Sequence, residues 1–294
     1  MNFPSAQFHA AAEADGLQHA LSLLERHFPE QLVRTADGAA ISYREIAPAA
    51  DASLPVVVLL HGIGSGAASW LPCALDMARK ARVIAWNAPG YGKSDRLPDA
   101  RPSAAAYAAR LRQLVDALGV KRFTLVGHSL GAMMASAFAG ASGNAALLER
   151  LVLMSPARGY GIAGRLEQGA KVARERLSTL GELDVHGLAT QRSARLLSDA
   201  ADTLQRDWVR WNMAQLNAAG YTQAVHLLCG DAIENYTPAV PGAVWCGSAD
   251  RITTPEDSRA VAERFGLPFT LIENAGHACY VEQPGIAAAA ILQQ

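Results

Sequence analysis

Phe123 to Ala139 reads F-T-L-V-G-H-S-L-G-A-M-M-A-S-A-F-A. Four strand-favouring residues, Phe123 to Val126, run into Gly127-His128-Ser129-Leu130-Gly131, and an apolar, alanine-rich amphipathic helix is expected after them. A G-x-S-x-G between a strand and a helix is the pattern of a nucleophile elbow. Its serine sits at the tip of a strained turn, which costs on the order of 1–3 kcal/mol. Gly127 and Gly131 leave room where side chains would collide with the adjoining strand and helix. Ser129 is thereby presented above the sheet edge, at the positive end of the following helix.

Working outward, the same alternation recurs. Gln31 to Ile46 reads as two strands around a turn at Asp37-Gly38. Val56 to Leu60 and Val83 to Trp86 are short continuous apolar runs, as strands covered on both faces should be. A helix starts at Pro102-Ser103 and ends at Gly119, with Tyr107, Leu111, Leu114 and Leu118 on one face. Leu151 to Met154, Gly242 to Gly247 and Phe269 to Ile272 are further strands. Alternating strands and helices predict an α/β fold with a mostly parallel central sheet and helices on both faces. The rhythm breaks between Ala157 and Pro238, a polar, arginine-rich, largely helical stretch read as a cap inserted into the core. The expected organisation is thus an N-terminal helical extension over 1–30, a core over 31–156 and 239–294, and a helical cap over 157–238. Leu17, Leu21, Leu24 and Phe28 recur at helical spacing in the extension. That stripe is expected to pack on the main domain, with a homodimer contact as the alternative.

The chain has 294 residues, half of them hydrophobic, and a formal net charge of −1. A near-neutral balance gives no electrostatic reason to expect nucleic acid or an anionic membrane as partner. Cys73, Cys229, Cys246 and Cys279 lie far apart without C-x-x-C spacing, which suggests neither a metal site nor a disulfide framework. With no long apolar run and no export signal at the N-terminus, the expectation is a cytoplasmic protein with a small-molecule substrate.

A serine needs a base to take its proton, and the base needs a group to orient it. His277, just after the last strand, and Asp250, just after the strand before it, complete the order serine, acid, histidine that follows an elbow of this type. Asp231 is a rival acid, but it follows no core strand; Thr254 already serves as the helix cap that Asp250 could otherwise be. His61 is read as bracing its loop, and His128 as pointing away from the chemistry. The developing oxyanion needs two donors: the Leu130 N–H from the elbow, and one from the loop after Val56–Leu60, assigned to Ile63. His61–Gly66 superficially resembles a dinucleotide fingerprint, but the full spacing is absent and Trp86-Asn87 stand where an acidic residue would end the next strand. No cofactor is therefore expected. Among the aromatics of the inserted segment, Tyr160, Trp208, Trp211, Tyr221 and Tyr236, packing is the ordinary role, and Trp208 and Trp211 are candidates for a pocket wall.

His61–Gly64, Pro89–Asp95, Gly127–Gly131 and Gly276-His277 together resemble the α/β-hydrolase superfamily, over about Val33 to Leu292. Within it, His61-Gly62-Ile63-Gly64-Ser65-Gly66-Ala67 with Trp70, and Pro89-Gly90-Tyr91-Gly92-Lys93-Ser94-Asp95, are similar to the meta-cleavage-product hydrolases and the enol-lactonase branch. The resemblance implies the α/β-hydrolase fold and cofactor-independent hydrolysis, with Trp70 as a substrate contact and Arg192 or Arg195 holding a substrate carboxylate. Ala278 follows the histidine where carbon–carbon hydrolases often carry an aromatic residue. The expected activity is accordingly hydrolysis of a small carboxylic ester or lactone through an acyl-enzyme. Carbon–carbon cleavage of ring-fission products is the alternative, and a non-catalytic small-ligand-binding protein is the alternative from another class.

Overall fold

A computed structural model of the chain describes residues 16–47 and 54–293. The first half of the expected N-terminal extension, residues 1–15, and residues 48–53 lie outside the described residues. In chain order the elements are α1 (Gly16–His27), β1 (Glu30–Arg34), β2 (Ala40–Ile46), β3 (Val56–Leu60), α2 (Leu71–Met77), β4 (Arg82–Trp86), α3 (Ala104–Ala117), β5 (Phe123–His128), α4 (Leu130–Gly140) and β6 (Leu148–Met154). The helical segment follows as α5 (Leu166–Arg192), α6 (Thr203–Ala214) and α7 (Ala218–Gly230). β7 (Gly242–Gly247), α8 (Pro255–Phe265), β8 (Phe269–Ile272), α9 (Cys279–Glu282) and α10 (Pro284–Leu292) close the chain.

Eight strands form one sheet in the order β1-β2-β4-β3-β5-β6-β7-β8. β1 and β2 pair antiparallel, as do β2 and β4; every later pairing is parallel. Successive side chains of a strand face opposite sides, so each central strand feeds two cores. Val58, Leu60, Leu125 and Leu153 join the cluster under α3 and α4. Val57, Leu59, Val126 and Val152 join the cluster under α2 and α10. This double burial is why the strands read as unbroken apolar runs. The helix after the elbow departs from its expected amphipathic form. Every residue of α4 from Leu130 to Ala139 is buried, because the helix lies between the sheet, α3 and the turn at Ile233–Asn235. α1 buries Ala20, Leu23 and Leu24, with Phe28 just beyond its end, while Leu17 and Leu21 are only partly covered. It packs against α6 of the helical segment, and the Phe28 carbonyl accepts a hydrogen bond of 2.7 Å from Arg44 of β2.

The helical segment leaves the sheet at the end of β6 and returns at β7, so it covers the rim formed by the carboxyl ends of β3, β5, β6, β7 and β8. α5 is not one straight helix: Asp184 inside it has φ 59° and ψ −170°. Its Oδ1 accepts hydrogen bonds from the His186 and Gly187 amides at 2.7 and 3.0 Å, so Asp184 caps the second arm of the bent helix. No helix among the described residues is long and apolar enough to cross a membrane.

Candidate active site

Ser129 stands between β5 and α4 with φ 53° and ψ −117°, a backbone state that L-residues seldom adopt. The turn is fixed from both sides. The Ser129 amide donates to the Met154 carbonyl at the end of β6 (3.0 Å), and its own carbonyl accepts from the Ala132 and Ala157 amides. The two glycines of the motif are steric requirements. A Cβ on Gly127 would lie 2.5 Å from the Gly131 oxygen, and one on Gly131 would lie 2.5 Å from the Leu60 oxygen.

Two loops away, His277 Nδ1 and Asp250 Oδ2 are 2.9 Å apart, both side chains almost wholly buried. Asp250 is fully engaged: Oδ1 accepts from the Ile252 and Thr253 amides at 2.8 and 3.1 Å, and Oδ2 from the Thr253 hydroxyl at 3.0 Å. Burial works to raise the Asp250 carboxyl, but His277 and these donors outweigh it and hold it far below the usual carboxylate range. An ionised Asp250 can only accept, so the imidazole proton sits on Nδ1 and Nε2 keeps its lone pair. Sequence reasoning passed over Thr253, whose Oγ1 also lies 3.1 Å from His277 Nδ1 and 2.9 Å from the Ser155 carbonyl. The available signal was its place in the same short turn as Asp250. Ser129 and His277 share the wall of one cavity of about 510 Å³. No hydrogen bond joins them among the described residues, a common resting state for such pairs that tightens on substrate.

The loop after β3 carries Ile63 into the same wall, and Leu130 opens α4 there. The first amides of a helix have no intrahelical acceptor, which leaves the Leu130 N–H for a ligand. The orientation of the Ile63 N–H is set one residue earlier. The Ala88 amide donates to His61 Nε2 at 3.0 Å, so the His61 proton must reside on Nδ1, which donates to the Gly62 carbonyl at 2.9 Å. The Ser65 amide and hydroxyl donate to that same carbonyl. In a trans peptide the C=O and N–H point oppositely, so anchoring Gly62 O aims the Ile63 N–H the other way. Burial drops the His61 pKa to about 4, which keeps the ring in the neutral form this arrangement needs. Tyr91, from the second glycine-rich loop, donates to the Ile63 carbonyl at 3.0 Å.

His128 does more than point away. Its Nε2 donates to the His277 carbonyl at 2.8 Å, tying the elbow to the loop of the histidine. Burial, then the nearby His277, pushes its pKa down to about 3, so it stays neutral. Asp231 lies at the foot of the helical segment, where it accepts from the Ala104 amide, Asn235 and the Tyr236 hydroxyl, remote from Ser129.

The expected aromatic contacts need correction. Trp70 is fully buried and stacks on Tyr280 (3.9 Å between centroids) beneath the cavity. Trp208 is buried, with its ring stacked on Trp211 and its indole N–H 3.4 Å from the Ser69 carbonyl, and neither tryptophan lines the cavity. Tyr160 and Tyr221 take that place instead. Arg192 and Arg195 both reach the cavity wall, together with Arg176, which the sequence did not single out. Among the described residues no group of three or more His, Cys, Asp or Glu side chains is placed to hold a metal ion.

A family model described as the alpha/beta hydrolase family matches residues 57–290. The chain belongs to the alpha/beta hydrolase family. Among solved structures of this architecture, an esterase from Thermogutta terrifontis superposes with a TM-score of 0.75 at 22% identity, covering 89% of this chain and 96% of that one. The enol-lactonase from Burkholderia xenovorans LB400 superposes with a TM-score of 0.74 at 20% identity, covering 89% and 98%. At such identities the likeness is one of fold. An uncharacterized protein of Mycobacterium tuberculosis is 41% identical over 101 residues, 34% of this chain, and the match spans only 29% of that curated relative.

Proposed function

We propose that this alpha/beta hydrolase is a cofactor-independent serine hydrolase of small carboxylic esters or lactones. The observation that carries the reading is the contact of Asp250 with His277 in the cavity wall that also presents the strained Ser129. His277 Nε2 takes the proton of Ser129 as Oγ attacks the acyl carbon, and Asp250 stabilises the imidazolium. The Ile63 and Leu130 amides receive the oxyanion. His277 then protonates the departing alkoxide, leaving an acyl-serine. Water, deprotonated by the same imidazole, releases the acid. The names of the two structural neighbours, an esterase and an enol-lactonase, are in keeping with a C–O bond as the one broken.

The test is turnover of a short p-nitrophenyl ester by the wild type and Ser129→Ala. The expected loss in kcat is about 10⁴-fold or more, with the thermal midpoint retained and with labelling by a fluorophosphonate probe abolished. Equal rates in the two proteins would return the chain to the class of ligand-binding members of this fold.

A further inference from the structure

α6 turns one face to the cavity, and a single polar side chain interrupts that face. Val209, Asn212 and Met213 stand at i, i+3 and i+4 on the helix and line the cavity together. The helix is fastened to the segment after β3 at two points. The Trp208 indole N–H lies 3.4 Å from the Ser69 carbonyl, and a Cβ on Gly64 would fall 2.9 Å from Met213 Cε. Ser69 is itself held, its hydroxyl donating to the Gly66 carbonyl at 2.7 Å and accepting from Tyr280 at 3.0 Å. Gly64 follows Ile63 in the loop assigned the second oxyanion donor, so this face of α6 is fixed beside the reacting end of the cavity.

Asn212 is 4% exposed. The orientation of its amide follows from its one hydrogen bond. The atom 2.9 Å from the Trp208 carbonyl must be Nδ2, because a carbonyl only accepts. Oδ1 is then the open end, and no donor among the described residues reaches it. Nor is it sealed off: unlike His128 Nδ1 or Gln223 Oε1, which are buried with no partner, Asn212 Oδ1 keeps accessible surface on the cavity. In the open cavity water can answer such an acceptor. A substrate that displaces the water must bring a donor of its own or forfeit affinity.

We propose that Asn212 is a specificity-determining residue whose Oδ1 accepts a hydrogen bond from a hydroxyl on the acyl part of the substrate, so that the preferred substrates are esters of short 2- or 3-hydroxy acids. The proposal rests on the serine-hydrolase reading for the reaction and on Asn212 alone for the selectivity. Met213, the next residue, reaches the loop of Ile63, which puts the hydroxyl within a few bonds of the acyl carbon. Hydrolysis breaks the acyl C–O bond: the acyl carbon takes the oxygen of water, the alkoxy oxygen takes the proton carried by His277, and a hydroxy acid is released. The substrate hydroxyl itself is unchanged; it only donates to Asn212.

The experiment measures kcat/KM by pH-stat for the methyl esters of butyrate, 2-hydroxybutyrate, 3-hydroxybutyrate and the two matching fluorobutyrates, each normalised to its hydroxide-catalysed rate. Fluorine is close to a hydroxyl in size and electron withdrawal but donates no proton. The wild type is expected to prefer the better hydroxy ester over its fluoro analogue by about tenfold, the usual worth of a buried hydrogen bond whose loss strands one partner. Asn212→Leu, similar in volume, brings that ratio to one or below. Gln215→Leu removes the same kind of bond, 3.3 Å to the Trp211 carbonyl, on the exposed side of α6, and leaves the ratio unchanged. A wild-type ratio near one overturns the proposal whether or not the variant folds. So does a ratio that Asn212→Leu retains, and so does an equal loss on all five esters, which would assign Asn212 to a step common to every substrate. Calorimetry of the same esters with Ser129→Ala, alone and combined with Asn212→Leu, reads the contact without turnover. Hydroxyl-selective binding that needs Asn212, in a protein whose wild type cleaves no ester, sinks the hydrolase reading and keeps the contact. Ester cleavage without hydroxyl selectivity sinks the contact and keeps the hydrolase.

Discussion

His61 shows how much of the candidate site is decided by one tautomer. Ala88 donates to one ring nitrogen, so the other must donate, and the carbonyl it reaches belongs to the peptide that carries the Ile63 N–H. An alanine at 61 removes the shortest of the three hydrogen bonds that anchor that carbonyl, leaving the Ser65 amide and hydroxyl, without removing any group that touches substrate. His61→Ala is therefore expected to lower kcat about tenfold, a fraction of the 10²–10³ that follows removal of a whole oxyanion donor. KM should change little. Steady-state kinetics on a neutral ester checks this, and an unchanged kcat with only a lower melting midpoint would reduce His61 to a packing role. Thr253 poses a related question beside the Asp250–His277 pair, where its hydroxyl sits within 3.1 Å of the ring nitrogen. Thr253→Val removes the hydroxyl donor to Asp250, so a loss in kcat of severalfold is expected, with the Ile252 and Thr253 amides, His277 and the Cys246 thiol left to hold the carboxylate. A kcat within experimental error of the wild type would show that the remaining donors suffice.

At the scale of elements, the seam between the helical segment and the core is a backbone-to-backbone contact. A Cβ on Gly220, near the start of α7, would fall 2.0 Å from the Gly90 oxygen in the loop after β4, and Gly90 itself holds φ 83°. Gly220→Ala must push α7 off that loop. A cost of about 1–3 kcal/mol is expected, read by urea denaturation, together with a fall in kcat/KM because Tyr221 next to it lines the cavity. A variant as stable as the wild type would show that the seam can slide. The elements that the sequence made legible are those with a single physical cause. Parallel strands buried on both faces appear as apolar runs, and glycine-rich loops at their ends announce the rim that carries Ser129, Asp250 and His277. The helical segment resisted reading because helical spacing says which residues share a face, not what that face meets. Trp208 and Trp211 satisfied the pattern of a pocket wall, yet they stack on each other outside the cavity, with Trp208 bonded to the Ser69 carbonyl. Arg176 went unnoticed for a different reason: nothing in Gly181-Glu182-Leu183-Asp184-Val185-His186 announces that the helix bends there.

For the molecule as a whole, the two neutral histidines around the site set a pH limit on stability. Burial lowers His61 to about 4 and His128 to about 3, whereas in the unfolded chain each returns to about 6.5. Between these values the unfolded state binds protons that the folded state refuses, so stability rises with pH and falls as pH drops below 6.5. The decline flattens only as pH approaches the folded values. Asp250 acts in a lower window: its folded pKa is depressed, so its contribution is intact above about 4, the unfolded carboxyl value, and fades beneath it. Between pH 7.5 and 5 the histidines alone are expected to remove on the order of 4 kcal/mol, roughly 2 kcal/mol from each. Urea midpoints across that range measure it, and His61→Ala should show about half the slope of the wild type. A flat profile would mean that these rings can charge in place. The Ala88-to-His61 hydrogen bond forbids that, because a protonated Nε2 cannot accept it.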